Sequence, residues 1–223
     1  GDADLALHIE RTRRRALGES LSDITDSIRQ QLGIRSEVIP MSDQTVSTWV
    51  ETSEGVLPFQ HYFVKLRCRP VVSGFQFDGA GSASASPRLS ALLSSDRLKA
   101  VIICPSNPFI SIDPILALPG LRQAIRGNGA PVVAVSPVIN GKAVKGPTTK
   151  MMAELGLQVN SAGIAVHYGD LIDALVVDQS EDTEFPENGP RCFRTATLMH
   201  SDTDKQALAS QVLAYAETLG PSS

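Results

Sequence analysis

The sequence predicts an α/β fold: a Rossmann-like, mainly parallel sheet with a helical and short-strand lid region. Three observations predict it. Two apolar runs, VIIC at 101–104 and VVAV at 132–135, break abruptly into loops rich in Pro, Ser, Asn and Gly. Continuous rather than alternating apolar strands are buried on both faces, as in parallel sheets. Beyond residue 87, strand-like and helix-like patterns alternate, the signature of βαβ units. Finally, GAGSASASP at 79–87 marks a shift in composition. Residues 1–80 are therefore expected as a lid or insert of helices and short strands over the ligand edge. Residues 81–223 are expected as the α/β core with a C-terminal helix.

Each element has a local reason. Leu5, Ile9, Thr12 and Ala16 recur at helical spacing over 4–17, and Arg11, Arg13, Arg14 and Arg15 suit the negative end of that helix dipole. Ser20 or Ser22 caps a second helix whose stripe is Leu21, Ile24, Ile28 and Leu32, and Gly33 ends it. Short strands are expected at 37–40 and 46–51, a helix at 59–66 and a strand at 71–77. In the core, helices are expected at 87–94, 112–126 (interrupted at Pro119-Gly120), 148–155 and 161–168. Strands at 100–104, 132–135, 174–178 and 192–197 alternate with them. Leu208, Val212 and Ala216 form the stripe of a last helix over 202–219.

Bulk properties narrow the function. At 223 residues and 42% hydrophobic, the chain suits one large α/β domain, or a core plus a lid. A net charge of −4 argues against a non-specific nucleic-acid binder, which needs a basic face. No apolar run reaches the roughly 18 residues of a membrane helix, so no membrane partner is expected. Cys68, Cys104 and Cys192 are widely spaced and odd in number, so neither a metal pair nor a disulfide framework follows. They are expected as reduced packing groups, and with no apolar signal region at the start the expected location is the cytoplasm.

Candidate site residues cluster in the loops after the two apolar strands. Ser106 and Asn107, between Pro105 and Pro108, can donate to phosphate, ribose or a base edge, or form a tight Asx turn. Ser111 is expected to open the next helix, where free N–H groups favour an anion or the hydroxyl simply caps. Lys142 and Lys145, beside Gly141 and Gly146, offer a positive site with close backbone approach, or a solvated turn. The loop does not match the P-loop pattern. Asp2, Asp4 and His8 are weak candidates for holding metal or substrate, caps being the simpler role. Ser42, Asp43 and Tyr62 are candidates for reaching the core from the first region, although Tyr62 and Phe63 also suit packing. No nucleophile–base–acid triad emerges.

In combination these segments become specific. CPSNPFISIDPILALPG, AVSPVINGKAVKGPTTKMMAELG and HYGDLIDALVVD resemble the C-terminal half of the 2-phospho-L-lactate transferases. GDADLALHIERT, VIPMSD and LPFQHYFVKLRC resemble that family's middle segment. The resemblance covers nearly the whole chain. It implies a transferase of coenzyme F-420 biosynthesis. Such an enzyme moves a phospho-hydroxyacid unit, 2-phospho-L-lactyl or phosphoenolpyruvyl in type, from a guanylyl-diphosphate donor. The acceptor is 7,8-didemethyl-8-hydroxy-5-deazariboflavin, and GMP leaves. Magnesium (Mg2+) as cofactor and a homodimer are implied as well. Family members begin with a strand and a Gly-Gly-x-Gly-Gly loop that this sequence lacks, so the main metal-binding acids are expected there and the 223 residues alone are expected to show little activity.

Two other functions compete. One is a non-catalytic nucleotide or nucleotide-sugar binding regulator of the gluconeogenesis-factor type. Those proteins share the sheet but carry a Gly-Pro-Gly-Ser loop where this chain has CPSN, and the lysine loop also favours the transferase. The other is an inactive remnant that only dimerises. The choice among phospholactate, phosphoenolpyruvate and phosphoglycerate donors rests on a few atoms and is not legible in the sequence.

Overall fold

The computed structural model describes residues 1–186 and 188–220. It opens with helices α1 (Asp2–Ala16) and α2 (Leu21–Gln31). Ser20 caps α2 by accepting from the Asp23 N–H at 3.0 Å. Ile24 of its stripe is fully buried, whereas Leu32 is exposed, so the expected stripe is shorter than its spacing implied.

The strand expected at 37–40 does not form. Its end is recruited elsewhere: the Pro40 carbonyl accepts from the Ser86 hydroxyl at 2.8 Å, and the Met41 carbonyl from the Ser86 N–H at 2.9 Å. Strands β1 (Ser47–Thr52), β2 (Gly55–Pro58) and β3 (Val72–Asp78) then build an antiparallel sheet in the order β2-β1-β3. The helix expected over 59–66 is a single wide π-helical turn, His61–Lys65. Its aromatic and β-branched run, YFV, has little preference for an α-helix.

The core follows the expected alternation. After α3 (Pro87–Leu93) come β4 (Val101–Ile103), a π-helical turn at Pro108–Ile112, α4 (Asp113–Leu116) and α5 (Leu121–Gly127). Strand β5 (Val132–Val135) leads into a small hairpin, β6 (Val138–Ile139) and β7 (Lys142–Ala143). Then come α6 (Thr148–Glu154), α7 (Ser161–Tyr168), β8 (Ala174–Asp178), β9 (Arg191–Thr195) and α8 (Asp202–Leu219). Strands β4-β5-β8-β9 form one sheet in that order, all parallel, with Val101 opposite Val132 and Val133 opposite Ala174.

The side-chain period of two explains why β5 is apolar throughout. Val132 and Ala134 face a cluster containing Met151, Met152, Ile164 and Leu171. Val133 and Val135 face the other way, against Leu208, Val212 and Ala216 of α8. Burying a Leu or Val side chain contributes roughly 1.5–3 kcal/mol, so this stripe suffices to seat α8 on the sheet. A capping box between Ser201 and Asp204 starts that helix.

Residues 1–80 carry their own sheet, yet Val50, Tyr62 and Val72 lie in the same buried cluster as Val132 and Leu175. The Phe75 ring stacks on Phe109 at 5.8 Å, which sets the small sheet beside the Pro108–Ile112 turn. Glu154 of α6 accepts from the Val72 N–H at 3.0 Å, and Lys150 donates to the Pro70 carbonyl at 2.9 Å. Packing is therefore continuous across the 79–87 segment. Among the described residues, no helix is long and apolar enough to cross a membrane.

Candidate active site at the carboxyl edge of the parallel sheet

All four parallel strands end at one edge, where α/β sheets bind their ligands. The loop after β4 is shaped by its two prolines and by Asn107. The Asn107 carboxamide oxygen accepts from the Phe109 N–H at 3.0 Å, and its amide donates to Met151 Sδ at 3.3 Å. Asn107 thus caps the turn that Pro108, buried, begins. Ser106 is half-buried, and its hydroxyl has no hydrogen-bond partner among the described residues. Ser111 does not open a helix as expected. It lies inside the π-helical turn, and its N–H already donates to the Asn107 carbonyl at 3.0 Å.

The lysine loop proves to be a hairpin. Asn140 and Gly141 both have left-handed backbones, φ 48° and 71°. That pair of dihedral signs closes a two-residue hairpin with the twist strands require. Lys142 follows on β7, opposite Ile139. Lys145 lies beyond the hairpin, next to Gly146, whose φ is 70°. Both lysines are exposed, and neither ammonium has an ion-pair or hydrogen-bond partner among the described residues.

Two buried acids, Asp178 closing β8 and Glu181 just beyond it, organise this edge, and the sequence reading missed both. Asp178, 7% exposed, accepts from the Ser180 N–H at 2.9 Å and hydroxyl at 2.6 Å, and from the Thr197 N–H at 2.9 Å and hydroxyl at 3.2 Å. Burial pushes its carboxyl pKa up, but these donors outweigh burial and hold it at about 2. Glu181, 3% exposed, accepts from the Ser161 N–H at 3.0 Å and hydroxyl at 2.6 Å and from the Thr183 hydroxyl at 2.8 Å. The Ser161 N–H belongs to the first turn of α7, where the helix dipole favours a negative charge. Ser161 in turn meets Ser136, at the end of β5, at 2.7 Å between hydroxyl oxygens. A second pair, His167 and Asp113 at 2.9 Å, ties α7 to α4 beside Phe109.

On the α8 side the same edge opens an apolar cleft of about 410 Å³, lined by Ile102, Cys104, Pro105, Val135, Leu208 and Met199 among others. Cys104 is exposed there, as is Cys192 on β9, so neither packs as expected; Cys68 does pack against the main core.

The remaining candidates lie apart from this edge. Asp4 and His8 line a groove of about 260 Å³ between α1 and α2, and every residue of that groove falls within positions 4–38. Asp2 and Asp4 occupy the first turn of α1, and neither side chain caps it. Asp43 is occupied structurally: it accepts from the Ser22 N–H at 2.7 Å and hydroxyl at 3.0 Å, at the start of α2. Ser42 is buried and accepts from the Gln44 N–H. Tyr62 is fully buried in the core, its hydroxyl donating to the Cys68 carbonyl at 3.4 Å.

These residues do not fit magnesium. Among the described residues, no three Asp, Glu, His or Cys side chains come together as metal ligands. Magnesium can manage with one or two carboxylates when substrate phosphates supply the rest. At this edge, however, the oxygens of Asp178 and Glu181 are already engaged by protein donors.

Fold and edge together define a Rossmann-like α/β protein whose parallel strands all end at one edge, the place where such sheets bind ligands. The sequence pattern of the family described as "2-phospho-L-lactate transferase CofD" matches residues 1–217. The chain belongs to that family and is a transferase. It is 38% identical to the 2-phospho-L-lactate transferase of Methanosarcina mazei over 216 residues, covering 96% of this chain and 70% of that one. It is 41% identical to the 2-phospho-L-lactate transferase of Methanopyrus kandleri, covering 98% and 70%. Identity to the phosphoenolpyruvate transferase of Streptomyces griseus is 38%, covering 97% and 70%. A crystal structure of a UPF0052-family protein from Bacillus halodurans shares the fold, with a TM-score of 0.61 at 14% identity over 92% of this chain and 71% of that one.

Proposed function

We propose that this transferase acts in coenzyme F-420 biosynthesis. It moves a 2-phospho-L-lactyl or phosphoenolpyruvyl unit from a guanylyl-diphosphate donor to 7,8-didemethyl-8-hydroxy-5-deazariboflavin. The ribityl hydroxyl oxygen bonds to the phosphorus of the phospho-acid. The bridging P–O bond to guanylate breaks, GMP departs with the bonding pair, and the hydroxyl proton goes to solvent. The observation that carries this reading is the family match over residues 1–217, with relatives named for both kinds of donor.

The geometry adds support. The Ser106 hydroxyl, without a partner among the described residues, follows β4, and the exposed ammonium of Lys142 stands on the hairpin that follows the adjacent strand β5. A diphosphate needs such donors, and charge-assisted contacts are the stronger kind. The apolar cleft beside Pro105, within the size range of small-molecule sites, offers room for a flat ring system.

The test is direct. The protein is incubated with donor and deazaflavin, released GMP is quantified, and deazaflavin binding is followed by its fluorescence. Binding of both donor and deazaflavin is expected, and any GMP released should match the acceptor converted mole for mole. Nucleotide binding without deazaflavin binding would favour the non-catalytic regulator instead.

A further inference from the structure

The β6–β7 hairpin has only two paired residues in each strand. A hairpin this small does not hold itself together in water, so its position depends on what grips it. Asp178, the last residue of β8, and Glu181, in the loop after it, grip both ends. At the tip, the Asn140 amide donates to the Ser180 hydroxyl oxygen at 3.3 Å, and Ser180 is fixed by Asp178. At the base, the Val138 N–H donates to the Ser136 hydroxyl oxygen at 3.2 Å.

Proton bookkeeping shows how Glu181 reaches that base. Each serine hydroxyl has one proton to give. The Ser161 proton goes to the Glu181 carboxylate, the shorter and charged contact at 2.6 Å, rather than to the Val138 carbonyl at 3.3 Å. The Ser161 oxygen is then free to accept from Ser136 at 2.7 Å, a shorter contact than the 3.1 Å from the Ser136 hydroxyl to the Val138 carbonyl, and the Ser136 oxygen accepts from the Val138 N–H. The order Glu181–Ser161–Ser136–Val138 is thereby set by one buried carboxylate. Glu181 is itself clamped, because the Arg194 guanidinium donates to its carbonyl and, at 2.7 Å, to that of Thr183.

We infer that Glu181 is a positioning residue that fixes the base of this hairpin so that Lys142, rather than Lys145, presents its ammonium to the donor's diphosphate. The assignment rests on the reading that this edge takes the donor. Lys142 lies within the gripped ladder, paired with Ile139, whereas Lys145 lies two residues past its end. Glu181 touches no ligand on this account. It acts only through Ser161 and Ser136.

The experiment uses the full chain and two readouts. Hydrogen exchange of the 138–143 amides reports the hairpin directly, and the donor KM reports the lysine. Glu181→Gln, and Ser136→Ala as a variant without a buried charge change, should speed that exchange. Each should raise the donor KM by about tenfold, one net hydrogen bond's worth, with kcat nearly unchanged. Lys142→Ala should raise KM and flatten its salt dependence, more than Lys145→Ala does. Combined with Lys142→Ala, the Glu181 change should add nothing further to KM, because both act through one group.

Unchanged exchange in both Glu181→Gln and Ser136→Ala overturns the inference. So does a Glu181 effect on KM that persists in full without Lys142. Faster exchange, with donor KM unmoved in all the variants, places the failure in the phosphate reading and removes the donor role of Lys142 with it.

Discussion

Asp178→Asn tests the strongest electrostatic statement the structure makes. The substitution keeps shape and volume and removes the charge. The wild-type carboxylate receives four hydrogen bonds, from the N–H and hydroxyl of Ser180 and of Thr197. An amide in its place presents its own donors on one side, so two of those four donors meet a donor. Losing hydrogen bonds to a charged, buried acceptor costs about 2–4 kcal/mol. The pKa leads to a similar figure. The fall from 3.8 to about 2 corresponds to about 2 kcal/mol, at ~1.4 kcal/mol per pH unit.

The sign follows from linkage. A carboxyl whose folded pKa is depressed adds stability above its unfolded pKa and loses it as pH falls through the folded value. The contribution should therefore be complete above about pH 5 and vanish near about pH 2. Urea unfolding of wild type and Asp178→Asn across that range is the assay. The gap between them should be about 2–4 kcal/mol at neutral pH and shrink by about 2 kcal/mol in acid. A gap that stays constant down to about pH 2 would show that Asp178 is not the group whose titration the fold resists.

Three further outcomes follow. Asn107→Ala should weaken donor binding by about 1–3 kcal/mol in calorimetry; unaltered affinity would remove Asn107 from the donor site. Gly163→Ala should destabilise the protein by about 1–3 kcal/mol or more, because a methyl there would lie 2.0 Å from the Gln158 carbonyl oxygen and 3.0 Å from Met152 Cε; a variant with wild-type Tm would mean that α7 shifts easily. Magnesium titrated into the protein without donor should give no saturable isotherm, since no ligand set is assembled among the described residues; tight binding would reveal one.

The core of the fold was legible because its determinants are local and redundant. The run 132–135 is apolar at every position and 174–178 at every position but its closing Asp178, which only burial on both faces satisfies, and both are fully buried. Elements that failed did so through partners far away in sequence. The 37–40 stretch has strand-like residues, yet Ser86 claims the acceptors at Pro40 and Met41. No window around residue 38 contains that competitor. The 138–143 hairpin was legible and was overlooked. Asn-Gly between apolar residues is the strongest short-range hairpin signal, but the neighbouring lysines drew the reading toward a phosphate loop.

The candidate site divides along the same line. Residues that were singled out individually, Ser106, Asn107 and Lys142, do fall at the strand edge. The groups that organise that edge come from four separate segments, around 136, 161, 181 and 197, and none stands out alone. Asp178 had the one available signal, a charge closing a buried apolar run, where an ionised group must be fully hydrogen-bonded. Glu181 had none. Asn107 shows how the two readings weighed for it combine. Its oxygen is committed to the Phe109 N–H, so the Asx turn is real. Its amide carries two protons, and Met151 Sδ, a weak acceptor, engages one of them. The other is left for a ligand oxygen, so capping the turn and meeting a donor do not exclude each other.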